Sequence, residues 1–136
     1  MAFVLDSSVV LAWMLPDESG AAVHALADRL ERETAVAPSI WPLEVRNALL
    51  TAHRRKRLTE KDLDRLLAIV RALPIEIETS MAADALSSIV QLAREHALTI
   101  YDAAYLELAR RRGLSLATLD AKLIGACQKL GVQTLP

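Results

Sequence analysis

One cysteine, Cys127, is too few for an intrachain disulfide, and no group of Cys and His has the spacing of a zinc site. A reducing compartment is therefore expected, and the fold must rest on its core alone. Phe, Tyr and Trp make up only 4% of residues, which leaves few side chains for a base-stacking platform. Sixteen Lys and Arg against 17 Asp and Glu leave a formal charge of −1, so the net charge provides neither a cationic coat for nucleic acid nor an acidic tail. No apolar run approaches the roughly 20 residues of a membrane span, and the N-terminal stretch has no basic leader and is broken by Asp6. Together these absences predict a soluble, cytoplasmic protein with no membrane attachment. Repeats, Gly/Ser-rich linkers and low-complexity stretches are missing too, so residues 1–136 are expected to form a single domain.

What is present is an alternation. Short aliphatic or β-branched runs at 3–5, 35–37, 75–77, 98–100, 115–117 and 132–134 read as strands. Between them, helical periodicity covers 18–33, 40–57, 59–72, 80–96, 101–112 and 119–129. Pro42 suits a first helical turn, Thr59 an N-cap, and Gly113 and Gly131 left-handed C-caps. Strands alternating with helices imply an α/β fold with a mostly parallel sheet covered on both faces. Such sheets place their sites at the carboxyl ends of the strands.

Three acids fall at strand-to-helix junctions: Asp6 after "FVL", Asp102 after "LTIY" and Asp120 after "SLATL". Each has an ordinary use there, as an N-cap or a first-turn acid. On a helix over 101–112, however, Asp102 shares its face with Leu106 and Ala109, and so points with the apolar stripe. Glu44 shares its face with Ala48 and Thr51, and no basic residue lies three or four positions from it. If these four acids converge, two charges ~5 Å apart repel by about 3 kcal/mol at an effective dielectric of 20. Protons or a metal must offset that repulsion. Carboxylates without His or Cys select a hard cation, and Mg²⁺ or Mn²⁺ suits a site that keeps water on the metal.

The stretches "VLDSSVVLAWMLPDE" (4–18), "PSIWPLEVRNALL" (38–50), "LTIYDAAYLELARRRG" (98–113) and "LATLDAKL" (116–123) resemble, in order and separation, the PIN-domain family. The likeness is to the VapC-type toxin ribonucleases of type II toxin–antitoxin systems, and it covers essentially the whole chain. It implies a three-layer α/β/α sandwich with a short, mostly parallel central sheet. It further implies that Asp6, Glu44, Asp102 and Asp120 hold Mg²⁺ or Mn²⁺ and catalyse hydrolysis of RNA, leaving a 5′-phosphate and a 3′-hydroxyl. Ser8 and Thr118 match the family's small hydroxyl positions, which orient a carboxylate or a bound water; local helix capping is their other reading. Asn47 fits the pattern "ExxN", and an amide bridging two helices accounts for it as well. A VapB-type antitoxin and a homodimer with both acidic sites on a shared channel are implied in the same way.

The tracts "HRRKR" (53–57) and Arg110, Arg111 and Arg112 offer cations to an RNA backbone, yet both stand at helix C-termini, where cations offset the dipole whatever the function. Trp13, Met14, Leu15 and Trp41 are expected in the core, and His24, His53 and His96 are read as solvated or packed helix residues. Two other readings remain open at this point. One is phosphoryl transfer through an Asp nucleophile, although the second acid which that chemistry wants two residues on is here Ser8. The other is a non-catalytic RNA- or protein-binding module in which acids bind metal for structure alone.

Overall fold

Phe3, Val4 and Leu5 are fully buried, and a strand covered on both faces is apolar at every position instead of every second one. They belong to β1 (Ala2–Leu5), the central strand of a five-stranded sheet in the computed structural model of the chain, which describes residues 1–15 and 20–136. The remaining strands are β2 (Thr34–Pro38), β3 (Ile75–Glu78), β4 (Ser115–Ala117) and β5 (Thr134–Leu135), in the order β3-β2-β1-β4-β5. All four pairings are parallel, with Phe3 opposite Ala35 on one side and Ser115 on the other.

Parallel neighbours need long crossovers, and helices supply them. α1 (Ser7–Met14) and α2 (Ala21–Arg29) lead from β1 to β2, and α3 (Trp41–Arg54) and α4 (Glu60–Ala72) from β2 to β3. α5 (Ala83–His96) and α6 (Ile100–Arg112) return the chain to β4, and α7 (Ala121–Leu130) precedes β5. The expected α/β/α sandwich is therefore present, with a sheet that is wholly parallel. One continuous apolar cluster joins strands and helices, and Tyr105 and Leu106 of α6 are sealed beneath it with no exposure.

Four expectations need correction. No strand forms at 98–100. The α5 end closes through Ala97 in the left-handed conformation (φ 54°) with the Leu98 amide on the Ala93 carbonyl, and Thr99 then caps α6. The run "LTI" is thus a helix-to-helix corner whose β-branched residues serve as cap and first turn. β5 lies two residues beyond the expected start at 132, because Gly131 (φ 70°) and a Val132 amide bonded to the Cys127 carbonyl still belong to the end of α7. α1 was not anticipated: Val9, Val10 and Ala12 are buried, and a helix enclosed this far shows no polar face to reveal its period. The first positions of the helix expected over 18–33 lie outside the described residues; α2 starts at Ala21, after an extended Gly20, and ends at Arg29.

β1 is the position from which chain order runs both ways, outward through β2 and β3 and then back to β4 on its other flank. The crevice at the carboxyl ends of β1 and β4 is a topological switch point. α3 and α6, running back across the sheet, begin at this same edge.

Candidate active site

Asp6 follows β1 directly, and its amide extends the ladder by donating to the Ala117 carbonyl at 3.0 Å. It occupies the N-cap position of α1 in extended conformation, yet its side chain caps no amide of that helix. The simple cap reading therefore fails for Asp6. Its Oδ2 instead accepts two hydroxyl protons, from Ser8 Oγ at 2.7 Å and from Thr118 Oγ1 at 2.8 Å. Those hydroxyls in turn accept backbone amides: Leu119 N–H on Ser8 Oγ at 3.0 Å and Asp120 N–H on Thr118 Oγ1 at 3.1 Å. A hydroxyl has one proton, so each chain runs in a fixed direction, amide to hydroxyl to carboxylate. Ser8 and Thr118 stand 3.5 Å apart, but both protons are already directed at Asp6.

The other acids arrive from separate elements. Asp120 is an N-cap, with Oδ1 accepting from the Leu123 amide at 3.0 Å. Asp102 is not a cap; Thr99 takes that role, accepting the Asp102 amide at 3.0 Å, and leaves the carboxylate half-buried at the crevice. Glu44 sits in the first turn of α3, and its Oε1 accepts the Tyr105 phenol proton at 2.5 Å.

Asp6, Glu44 and Asp102 all hold their protons to higher pH than free carboxylic acids, and burial is the first cause in each. Mutual repulsion adds to it. Asp6 is raised further by Asp120, Glu44 by Asp6 and Asp102, and Asp102 by Asp6 and Asp120. The hydroxyls of Ser8 and Thr118 pull Asp6 back toward ionisation, Tyr105 does so for Glu44, and Thr99 and Lys122 do so for Asp102. Four carboxylates from four places in the chain thus lie in one another's field.

Their chemistry fits a hard divalent cation: every donor is oxygen, the local charge is negative, and Asp6 is 4% exposed with no cationic partner in contact among the described residues. Among the described residues, no three His, Cys, Asp or Glu side chains stand close enough to enclose an ion with protein atoms alone. That spacing suits an ion bound through one or two carboxylates and water.

Other expected residues lie elsewhere. Asn47 is exposed on α3, with no bond to the acids. Arg110, Arg111 and Arg112 are eight to ten residues along α6 from Asp102, or about 12–15 Å by helix rise. Arg111 is already engaged: Nε donates to Glu107 Oε1 at 2.6 Å and Nη2 to Glu78 Oε2 at 2.8 Å, tying α6 to edge strand β3. Arg112 stands 3.9 Å from Glu76. Leu15 and Trp41 are buried as expected, while Trp13 and Met14 are half-buried and border an apolar groove. None of the histidines stands with the acids; His53 Nδ1–H donates to the Leu58 carbonyl at 3.0 Å, and both ring nitrogens of His96 are buried.

Tyr105 was missed. Its signal is its position three residues after Asp102, on the same face of a helix whose neighbouring positions are all apolar. Leu43, Tyr101 and Leu119, each one residue before an acid, are exposed.

Comparison with known proteins adds an independent line. The PIN domain family model matches residues 3–128. Ribonuclease VapC3 from Pyrobaculum aerophilum is 32% identical over 124 residues, covering 90% of this chain and 92% of that protein. In fold, the chain is similar to the crystal structure of PAE2754 from Pyrobaculum aerophilum, with a TM-score of 0.74 at 23% identity over 98% of this chain and 83% of the other. VapBC2 from Rickettsia felis, bound to a DNA fragment from its promoter, gives a TM-score of 0.67 at 15% identity over 98% and 97%.

Proposed function

The chain belongs to the PIN domain family, and from that premise we propose that it is a metal-dependent endoribonuclease of the VapC toxin type, hydrolysing RNA phosphodiesters. The observation that carries the proposal is the convergence of Asp6, Glu44, Asp102 and Asp120, three of them held above their usual titration range by burial and by one another. Mg²⁺ or Mn²⁺ held by one or two of these carboxylates and by water would supply Lewis acidity toward the phosphate and an acidified water. The remaining work falls to the chain. Ser8 and Thr118 both bond Oδ2 of Asp6, which fixes the plane of that carboxylate and leaves Oδ1 without a hydroxyl partner. The half-exposed Asp102 and Asp120 border the opening through which a phosphate enters. A binding-only module gives no reason to gather four carboxylates that repel one another, which is why the catalytic reading is preferred.

The name of the curated relative supports RNA as substrate, and a VapBC likeness in fold suggests a VapB-type antitoxin as inhibitor. An apolar groove of about 300 Å³, bordered by Trp13, Met14, Leu66, Ile69 and Leu73, is the surface offered for it. A homodimer completes the proposal. No helix among the described residues is long and apolar enough to cross a membrane. The direct test is incubation with mixed RNA in Mn²⁺ or in EDTA. Cleavage confined to Mn²⁺ is expected; undiminished cleavage in EDTA, or none in either, rejects it.

Of the α6 cations, Arg110 alone is kept as a phosphate contact. Arg111→Gln should leave the salt dependence of RNA binding unaltered while destabilising the fold by about 1–3 kcal/mol, because Glu107, at 6% exposure, loses its partner. Denaturant titration and a salt series check both halves. A salt slope reduced by about one would return Arg111 to the RNA path.

A further inference from the structure

Tyr105 is enclosed on every side, and a buried phenol must place its proton on an acceptor. The acceptor is Glu44 Oε1 at 2.5 Å, 61 residues away in sequence. The Ser7 side chain, at the start of α1 and beside Asp6, faces the same phenol oxygen. Tyr105 therefore touches three of the elements that meet at the crevice: α6, which bears it, α3 through Glu44 and α1 through Ser7. Among the described residues no other side-chain hydrogen bond to Glu44 is formed, so this one bond sets the carboxylate's rotation. With Oε1 engaged, Oε2 is the oxygen left for the crevice. Asp6 is built on the same plan, since both of its hydroxyl partners bond Oδ2 and leave Oδ1.

We infer that Tyr105 is a positioning residue that holds Glu44 in a cation-binding orientation, doing from the core side for Glu44 what Ser8 and Thr118 do for Asp6. It touches neither metal nor RNA. The inference rests on the metal-dependent nuclease reading and adds to it a residue outside the acidic quartet.

The experiment is Mn²⁺ titration of the whole chain by calorimetry, without RNA, for wild type, Tyr105→Phe, Glu44→Gln and the double variant. Loss of an outer partner to a ligand typically costs 10- to 100-fold in metal affinity. Tyr105→Phe should weaken Mn²⁺ binding by about tenfold, and in the Glu44→Gln background it should add almost nothing, since the ligand it positions has gone. With RNA present, kcat should fall and KM stay near wild type, because the phenol makes no substrate contact. Unchanged Mn²⁺ affinity in Tyr105→Phe, or losses that simply add in the double variant, overturn the inference alone. Loss of the cooperative melt in Tyr105→Phe also overturns it, by assigning the hydroxyl to folding. A wild-type chain that binds no Mn²⁺ overturns the nuclease reading and this inference together.

Discussion

Asp6→Asn should lower metal-dependent RNA cleavage by about 10³-fold, equivalent to ~4 kcal/mol of transition-state stabilisation, while the metal-free protein melts no lower than wild type. The two halves have one cause. Asp6 Oδ2 is occupied by Ser8 and Thr118, so an Asn can satisfy the same hydroxyls with its carbonyl oxygen and must then turn its amide group toward the crevice. Donor hydrogens replace an anionic oxygen where a cation would bind. At the same time the variant removes a buried charge that Asp120 and Asp102 repel, and in the absence of metal that is a relief. Asp102→Asn should behave in the same way with a smaller stability effect, as its carboxylate is only half-buried. Parallel cleavage and melting measurements check this. Cleavage near the wild-type rate in Asp6→Asn would remove the carboxylate from the reaction.

The second large effect concerns pH and metal. The folded pKa values of Asp6, Glu44 and Asp102 all lie above the ordinary values of 3.8, 4.5 and 3.8. Between those ordinary values and the raised ones, the folded chain binds more protons than the unfolded chain, so metal-free stability falls as pH rises through that interval. Stability contributed by these protonated groups is present on the acid side and lost toward neutrality. Glu33 and Asp62 are shifted downward by Arg29 and Thr59 respectively, and so act in the opposite sense, but only at lower pH. Melting without metal should therefore occur at higher temperature near about pH 5 than near pH 7. A divalent ion restores the loss at neutral pH, adding about 2.7 kcal/mol at a hundredfold excess over its dissociation constant, or on the order of 10 °C in Tm. The Asp6→Asn, Asp102→Asn double variant should lose most of both responses. A metal-free melting temperature that climbs steadily from pH 5 to 7 would contradict the electrostatic description of the site.

Much of this was legible in the chain. "FVL" announced a doubly covered strand, and Gly113 and Gly131 took the left-handed caps their positions called for. The misreadings have identifiable sources. "LTI" carries β-branched residues that favour a strand until a left-handed Ala97 turns the chain into α6. α1 hides its helical period because, after Ser7 and Ser8, every residue to Met14 is apolar. The tract "RRR" looks like three equal cations, yet Arg111 is fastened to Glu78, 33 residues earlier, and to the buried Glu107 beneath it.

The chain by itself determined the number and type of acids, their places at strand and helix boundaries, and the parallel order of elements that brings those boundaries to one edge. Neighbours within a few residues decide such things, through side-chain period, capping and turn chemistry. Tertiary structure alone decided which carboxylate oxygen of Asp6 is engaged, that Tyr105 meets Glu44, and that Arg111 faces acids. Each of these is a hydrogen bond between groups far apart in sequence, and its partner is chosen by how whole helices seat on the sheet.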